Sequence, residues 1–409
     1  MNAKIDFVNA GTVTSPRGFQ AGATYASIKG GIEKKGDRPL DMGIIFSEVS
    51  CVACGLFTTN RIKAAPVVLS QEHLQGGRAR AIVVNSGCAN ACTGEPGLND
   101  AREMARLTAQ KFGGPAEEVM VASTGVIGVA LPMDKIKSGI ENIALSPDGG
   151  HDVANAIMTT DTVPKEAAVK VQIGGSEFTI GGITKGSGMI HPNMGTMLCF
   201  LATDAAVELD FMKKALKNAV DISFNMITVD GDTSTNDTAI LMANGKAGNK
   251  PISMTDEQGK VFQLALDKVC VTLAKKMAAD GEGASKMIEV SVQGAPSIRD
   301  ARQIARTVVG SSLVKTAVYG NDPNWGRIIA AAGRSGVDIV ETRTDLEIGG
   351  VPVLKGGQPL SFDPKVLIEI FKRKEVPISL NFNLGTGSAT AWGCDMTEEY
   401  VHINADYTT

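Results

Sequence analysis

The stretch Thr184-Lys185-Gly186-Ser187-Gly188-Met189-Ile190-His191-Pro192-Asn193-Met194-Gly195-Thr196-Met197-Leu198-Cys199-Phe200-Leu201-Ala202-Thr203-Asp204 changes character halfway along. Its first part is glycine-rich and polar. From Met197 to Ala202 it is wholly apolar, and a run of strand length without alternation predicts a strand buried on both faces. Thr196 sits at the mouth of that strand, and Gly195 before it has no side chain to block approach to its carbonyl. A hydroxyl so placed suits backbone self-cleavage: it attacks the Gly195 carbonyl, passes through an ester, and hydrolysis leaves a new chain beginning at Thr196. The freed α-amine titrates near ~8 and is available as a base around neutral pH. It can activate its own hydroxyl without a histidine. Read from the local pattern alone, a threonine capping a strand after a glycine turn is the commoner meaning.

Outward from this stretch, strands and helices alternate, which predicts a mixed α/β protein. Upstream, Ala81–Val84 reads as a buried strand that enters a polar loop over 85–97, and a helix follows from about Leu98 to Phe112 with Asn99 as a candidate N-cap. Val119–Ala122 reads as a strand ending at Ser123-Thr124-Gly125, and Val169–Ile180 as a hairpin turning at Gly174-Gly175. Downstream, Asp256–Ala279 carries Phe262, Leu266, Val269, Leu273 and Met277 on one helical face, with Thr255 and Gln258 as a capping box. Ile288, Val290 and Val292 then alternate as a strand. Helices are predicted near 299–309 and 364–372, and strands near 314–319 and 378–384. A smaller C-terminal domain is expected from about residue 300 to 409.

Composition narrows the function. The chain has 409 residues with 43% hydrophobic and 21% charged residues, ordinary for a globular protein. Its 40 basic and 44 acidic side chains give a net charge of −4, without the basic surplus that neutralises phosphates, so no nucleic-acid partner is expected. No apolar run approaches the ~18 residues of a membrane span, and MNAKIDFVNAG at the start has no apolar h-region. With seven cysteines, an odd number, the expected setting is a reducing cytoplasm with free thiols. Only four histidines are present, His73, His151, His191 and His402, which limits histidine-based catalysis.

Ten motifs, in order, carry a resemblance: TSPRGFQAG, FTTNRIKAAPV, VNSGCANACTG, ASTGVIG, MTTDTVPKEAA, KGSGMIHPNMGTML, NMITVDGDTSTNDT, DGEGASK, YGNDPNWGRI and YVHINADYTT. Together they resemble the glutamate N-acetyltransferase (ornithine acetyltransferase) family of arginine biosynthesis, over nearly the whole chain. The resemblance implies a precursor cut between Gly195 and Thr196 into an α chain (1–195) and a β chain (196–409), with Thr196 as nucleophile. It implies a ping-pong transfer of acetyl from N-acetylornithine, releasing ornithine, to glutamate, giving N-acetylglutamate. The acetyl group rides on the threonine, so no bound cofactor is expected. Acetyl-CoA stays open as a co-substrate, since some members of the family use it. The implied fold is a layered sandwich of sheets and helices of the self-processing N-terminal-nucleophile type, and the implied assembly is a heterotetramer of two α and two β chains. The family commonly has Ala where this chain has Gly195, and a small apolar residue where it has His191.

The resemblance also assigns supporting residues. The Thr124 hydroxyl and the Gly125 amide match the oxyanion hole, which acyl transfer needs opposite the developing negative oxygen. Lys185 matches the lysine that meets the substrate α-carboxylate. Glu282, flanked by Gly281 and Gly283, matches the glutamate that contacts substrate, and Thr159, Asn404 and Thr409 match further substrate positions. Each has a bland reading as a turn residue, a solvated loop side chain or a frayed end. Cys51-x-x-Cys54 and Cys88-x-x-x-Cys92 offer four thiolates, the number a structural zinc site needs. Their irregular spacing and small apolar neighbours favour buried hydrophobes instead, and no metal is expected. Two other readings compete with the transferase: an N-terminal-nucleophile aminopeptidase or amidase, in which water takes the place of glutamate, and an uncleaved metal-binding protein.

Overall fold

The computed structural model describes residues 3–29, 39–191, 197–254 and 257–406. Gly195, Thr196, Thr255 and Thr409 lie outside the described residues. The described chain forms two sheets with helices packed against them. The nine-stranded sheet runs in the spatial order Lys4–Phe7, Lys165–Ile173, Ser176–Lys185, Leu198–Thr203, Thr238–Ala243, Met42–Phe57, Arg78–Cys88, Val119–Val126, with Phe19–Thr24 also paired to Met42–Phe57. The seven-stranded sheet runs Gln358–Pro359, Val351–Lys355, Asp345–Ile348, Glu375–Asn381, Met287–Ala295, Gly387–Cys394, Ile227–Thr228.

The apolar run forms the strand Leu198–Thr203, and every one of its residues is buried. Side chains alternate across a sheet with period two. Accordingly Cys199 and Leu201 join one hydrophobic cluster, while Leu198, Phe200 and Ala202 join another on the opposite face. This strand pairs antiparallel with Ser176–Lys185 and parallel with Thr238–Ala243. On one face, the helix Glu257–Ala279 packs on Lys165–Ile173 and Ser176–Lys185, and also touches Gly387–Cys394 of the second sheet. Phe262, Leu266, Val269, Leu273 and Met277 are fully buried along it, the stripe expected from the sequence. Phe262 rests against Phe178 of the sheet and Phe211 of a neighbouring helix, at 5.9 Å between ring centroids in each case.

Three local expectations change. The segment near 314–319 is a helix, Ser312–Tyr319, not a strand. Its valines suggest a strand, but Val314, Ala317 and Val318 are its buried apolar positions, and the three-to-four spacing fits one face of a helix. The helix expected from Leu98 begins at Gly94, because Pro96 is tolerated in a first turn, where an N–H has no intrahelical acceptor. Asn99 therefore lies within the helix, where its side chain accepts from Arg102 at 3.1 Å. The strand expected over 81–84 runs from Arg78 to Cys88. Its polar end stays in the ladder because the Ser123 hydroxyl donates to the Asn85 side chain at 2.6 Å, satisfying two buried groups together. At Gly174-Gly175 both residues have positive φ, 56° and 80°, as a tight hairpin turn requires.

The packing of the long helix on the sheet gives a direct test. Phe262→Ala should cost ~3–5 kcal/mol, the usual loss for a buried phenylalanine. Leu264→Ala on the exposed side of the same helix should stay within ~0.5 kcal/mol. Urea denaturation of both variants checks the contrast.

Candidate active site

The extended ladder brings two backbones unusually close. Gly125 has φ of +128°, and a Cβ there would sit 2.3 Å from the Gly87 carbonyl carbon. Only glycine meets both conditions, so the strand end carrying Thr124 and Gly125 is pinned against its neighbour. Asn236 fastens the same corner: its side-chain amide donates to the Ala89 carbonyl at 2.6 Å and to the Ser123 carbonyl at 2.9 Å.

Lys185 ends the strand that pairs with Leu198–Thr203, and its side chain is 3% exposed. Its ammonium donates to the Thr159 hydroxyl at 2.7 Å and, more weakly, to the Thr124 hydroxyl at 3.4 Å. An ammonium only donates, so both threonine oxygens act as acceptors here and their own hydrogens are free to point into the cleft. Burial pushes the Lys185 pKa down, and the carboxylate of Asp161, 3.8 Å away, works against that. Asp161 is the hub of this corner. It accepts from the Lys165 ammonium at 2.5 Å, the Gly186 N–H at 2.7 Å and the Thr159 N–H at 3.1 Å. Burial opposes its charge, but Lys185, Lys165 and the Gly186 N–H overcome that and hold the carboxyl at about 2. Lys165 also reaches Asp280 at 2.6 Å, and Thr162 bonds the same Asp280 carboxylate through its backbone and its hydroxyl. Two buried ammoniums and two carboxylates thus cancel.

The opposite wall is acidic. Glu282 is 8% exposed, and its N–H donates to the Ser187 carbonyl at 2.9 Å. Its carboxylate lies against Gly188, where a Cβ would fall 2.3 Å from it, and accepts from the Asn404 amide at 2.8 Å. Asp230 clasps the glycine-rich loop by accepting from the Met189 N–H at 2.6 Å and the Ile190 N–H at 2.9 Å. His191, half-buried, shares a 3.2 Å hydrogen bond with the Thr228 hydroxyl; burial first, then Arg306, lowers its pKa.

Between these walls is a cleft lined by Ala89, Thr124, Gly125, Ile127, Thr159, Thr160, Lys185, Gly188, Met189, Ser234, Thr235, Asn236, Glu282 and Asn404. Six residues expected from the sequence, Thr124, Gly125, Thr159, Lys185, Glu282 and Asn404, meet in it. Gly195, Thr196 and Thr409 lie outside the described residues. Sequence reasoning assigned no role to Asp161, Lys165, Asp230 or Asn236, although all four stand inside the quoted motifs. Cys51, Cys54 and Cys88 are buried and Cys92 is exposed. Burial pushes the Cys51 and Cys54 thiols up to about 12, as for inert core cysteines. Among the described residues no three His, Cys, Asp or Glu side chains gather as a metal would need, and no helix is long and apolar enough to cross a membrane.

The model of the ArgJ family matches residues 22–409. The chain belongs to the ArgJ family. It is 54% identical over 409 residues, the full length of both chains, to the arginine biosynthesis bifunctional protein ArgJ of Dehalococcoides mccartyi. Among solved structures, the arginine biosynthesis bifunctional protein ArgJ of Bacillus halodurans is 44% identical, with a TM-score of 0.49, covering 50% of this chain and 96% of that one. An ornithine acetyltransferase complexed with ornithine, from Mycobacterium tuberculosis, is 35% identical, with a TM-score of 0.40, covering 48% of this chain and 100% of that one. Membership rests on the sequence match, and it agrees with the ten-motif resemblance.

Two measurements probe the buried charges. Lys165→Met leaves Lys185 alone against the two carboxylates of Asp161 and Asp280 and should cost ~3–5 kcal/mol, as breaking a buried pair does. Asp161 has a folded pKa of about 2, below the ~3.9 of an unfolded chain. Its stabilisation is therefore present above that unfolded value and is lost as pH falls through about 2. The stability gap between the wild type and Asp161→Asn should be constant above about pH 5 and close as pH drops from 4 to 2, read by chemical denaturation at each pH.

Proposed function

We propose that this ArgJ-family protein splits its own backbone between Gly195 and Thr196 and then moves acetyl from N-acetylornithine to glutamate through an acetyl ester on Thr196. One observation carries the reading. Thr124, Gly125, the buried ammonium of Lys185 and the Glu282 carboxylate line a single cleft, and Lys185 pairs in register with Leu198, two residues after Thr196. That arrangement has a cationic end for an α-carboxylate, an acidic end for an ammonium, and a pair of donors beside the mouth of the central strand.

The chemistry follows from these parts. Lys185 and Thr159 hold the α-carboxylate of either amino acid, and Glu282 with Asn404 holds the far end. The α-amine of Thr196 takes the hydroxyl proton as the oxygen attacks the acetyl carbonyl. The Thr124 hydroxyl and the Gly125 amide stabilise the oxyanion, a contribution typically of ~100–1000-fold in rate. The C–N bond breaks, the departing ornithine nitrogen receives the proton, and acetyl stays on Thr196 as an ester. The glutamate amine then attacks that ester and returns the proton to the hydroxyl. Nothing in this cycle requires a resident cofactor; acetyl-CoA would enter as an alternative donor to the same hydroxyl. The mature assembly on this reading is two α and two β chains.

Denaturing electrophoresis should give two fragments of roughly 20 and 22 kDa, from the share of 195 residues in a 409-residue, 42.7 kDa chain. Thr196→Ala should give one full-length band and no transfer. Release of ornithine from N-acetylornithine should require glutamate. Release into water alone, at the same rate, would identify an amidase and overturn the transferase reading.

A further inference from the structure

Two of the residues lining the cleft carry large apolar side chains, Ile127 and Met189. Neither joins any of the hydrophobic clusters of the interior among the described residues. The rest of the lining is polar, charged or small, so these two are what the cleft offers to the hydrocarbon part of a ligand. Ile127 comes two residues after Gly125, on the side of the oxyanion-hole corner. Met189 stands elsewhere. It follows Gly188, which lies against the carboxylate of Glu282, and it comes four residues after Lys185. The loop that carries it therefore runs from the cationic end of the cleft to the acidic end.

The backbone at Met189 is unusual. Its φ is +54°, in the left-handed region that favours glycine, and the same loop has glycine at 186 and 188. A non-glycine residue held there costs free energy and persists only where its surroundings over-determine it; such residues gather at functional sites. The surroundings do so here. The Met189 N–H donates to Oδ2 of Asp230 at 2.6 Å, and the Ile190 N–H donates to Oδ1 at 2.9 Å. The Ile190 carbonyl accepts from the Val229 N–H at 2.9 Å and from the Thr228 hydroxyl at 3.1 Å. The Ile190 side chain is fully buried in the core. Met189, half-buried at the cleft, thus springs from a fixed backbone between a residue with no side chain and one locked into the interior.

We propose that Met189 determines substrate specificity by covering the methylene chain of the amino-acid side chain at the acidic end of the cleft. The inference rests on the transferase reading for the identity of the two amino acids. Ornithine and glutamate both carry methylenes between the α-carbon and a charged end, and those ends have opposite sign. An apolar wall is indifferent to that sign, so one methionine can serve both. An unbranched thioether also adapts to chains that differ by a methylene. With Lys185 and Glu282 fixing the two ends, the wall between them favours a chain of matching length. A longer one is crowded, and a shorter one leaves apolar surface wet.

Equilibrium binding tests this without requiring any chemistry. Isothermal calorimetry would compare ornithine with lysine, one methylene longer, and with 2,4-diaminobutyrate, one shorter. The wild type should prefer ornithine to both by about 10-fold or more, the usual discrimination for one methylene in an apolar pocket. Met189→Gly relieves the backbone and removes the wall. Its melting temperature should not fall, its affinity for ornithine should drop about 10-fold, and the preference for chain length should shrink to about 3-fold or less. Met189→Leu, which restores an apolar side chain, should recover most of the preference. With N-acetylated donors the loss in Met189→Gly should appear in KM and not in kcat. A folded Gly variant that keeps the wild-type preference, or that weakens all three ligands equally, overturns the proposal, because the residue would then only shape the loop. A wild type that binds none of the three overturns it as well. A wild type that binds ornithine yet transfers no acetyl would overturn the transferase reading alone.

Discussion

An ammonium inside a protein, away from water, persists only where carboxylates and hydrogen-bond acceptors replace its hydration. Lys165 and Lys185 impose that constraint on this fold. Neither side chain has appreciable exposure, and the two are balanced by Asp161 and Asp280. The four residues come from a loop, two adjacent strands and the end of the longest helix, so none of these can shift without exposing or unpairing a charge. The quartet holds Lys185 still in turn. Its ammonium has already lost its water, so on the transferase reading a substrate carboxylate would meet a cation that needs no further desolvation.

The sheet order bears on what a cut at residue 195 does to the molecule. Leu198–Thr203 and Thr238–Ala243 would belong to the β chain, yet both are interior strands. Ser176–Lys185 borders them on one side and Met42–Phe57 on the other, and these would belong to the α chain. Each chain completes the other's hydrogen-bond ladder. Separating them would strip two ladders in the middle of a nine-stranded sheet and open hydrophobic clusters on both faces. On the self-cleavage reading, the cut would free a nucleophile without releasing a fragment.

Much of the framework was readable because it follows from burial on known periods. The run Met197–Ala202 announced a strand covered on both sides, and the stripe from Phe262 to Met277 announced a helix packed on a sheet. The segment 314–319 misled because its valines favour strands, while its buried positions follow helical spacing set by tertiary packing. The charge quartet was not legible. Lys165 and Asp280 are 115 positions apart, and nothing local in either marks them as partners. Asn236 and Asp237 stood within a recognised motif, but their work is to bond backbones that only the folded ladder brings near.

The polarity of the cleft bears on how one site can serve two different amino acids. Ornithine and glutamate share an α-carboxylate, which Lys185 and Thr159 can treat alike, but their far ends carry opposite charge. A bare glutamate at that end would attract the first and repel the second. Glu282 is not bare: it accepts the Asn404 amide. An amide presents both a carbonyl and an N–H₂ group. Asn404 can therefore leave Glu282 free to meet an ammonium, or turn its own donors toward a carboxylate. On the transferase reading this adaptable partner sits where the two substrates differ, while the rigid part of the site, the quartet and the pinned Thr124–Gly125 corner, sits where they are the same.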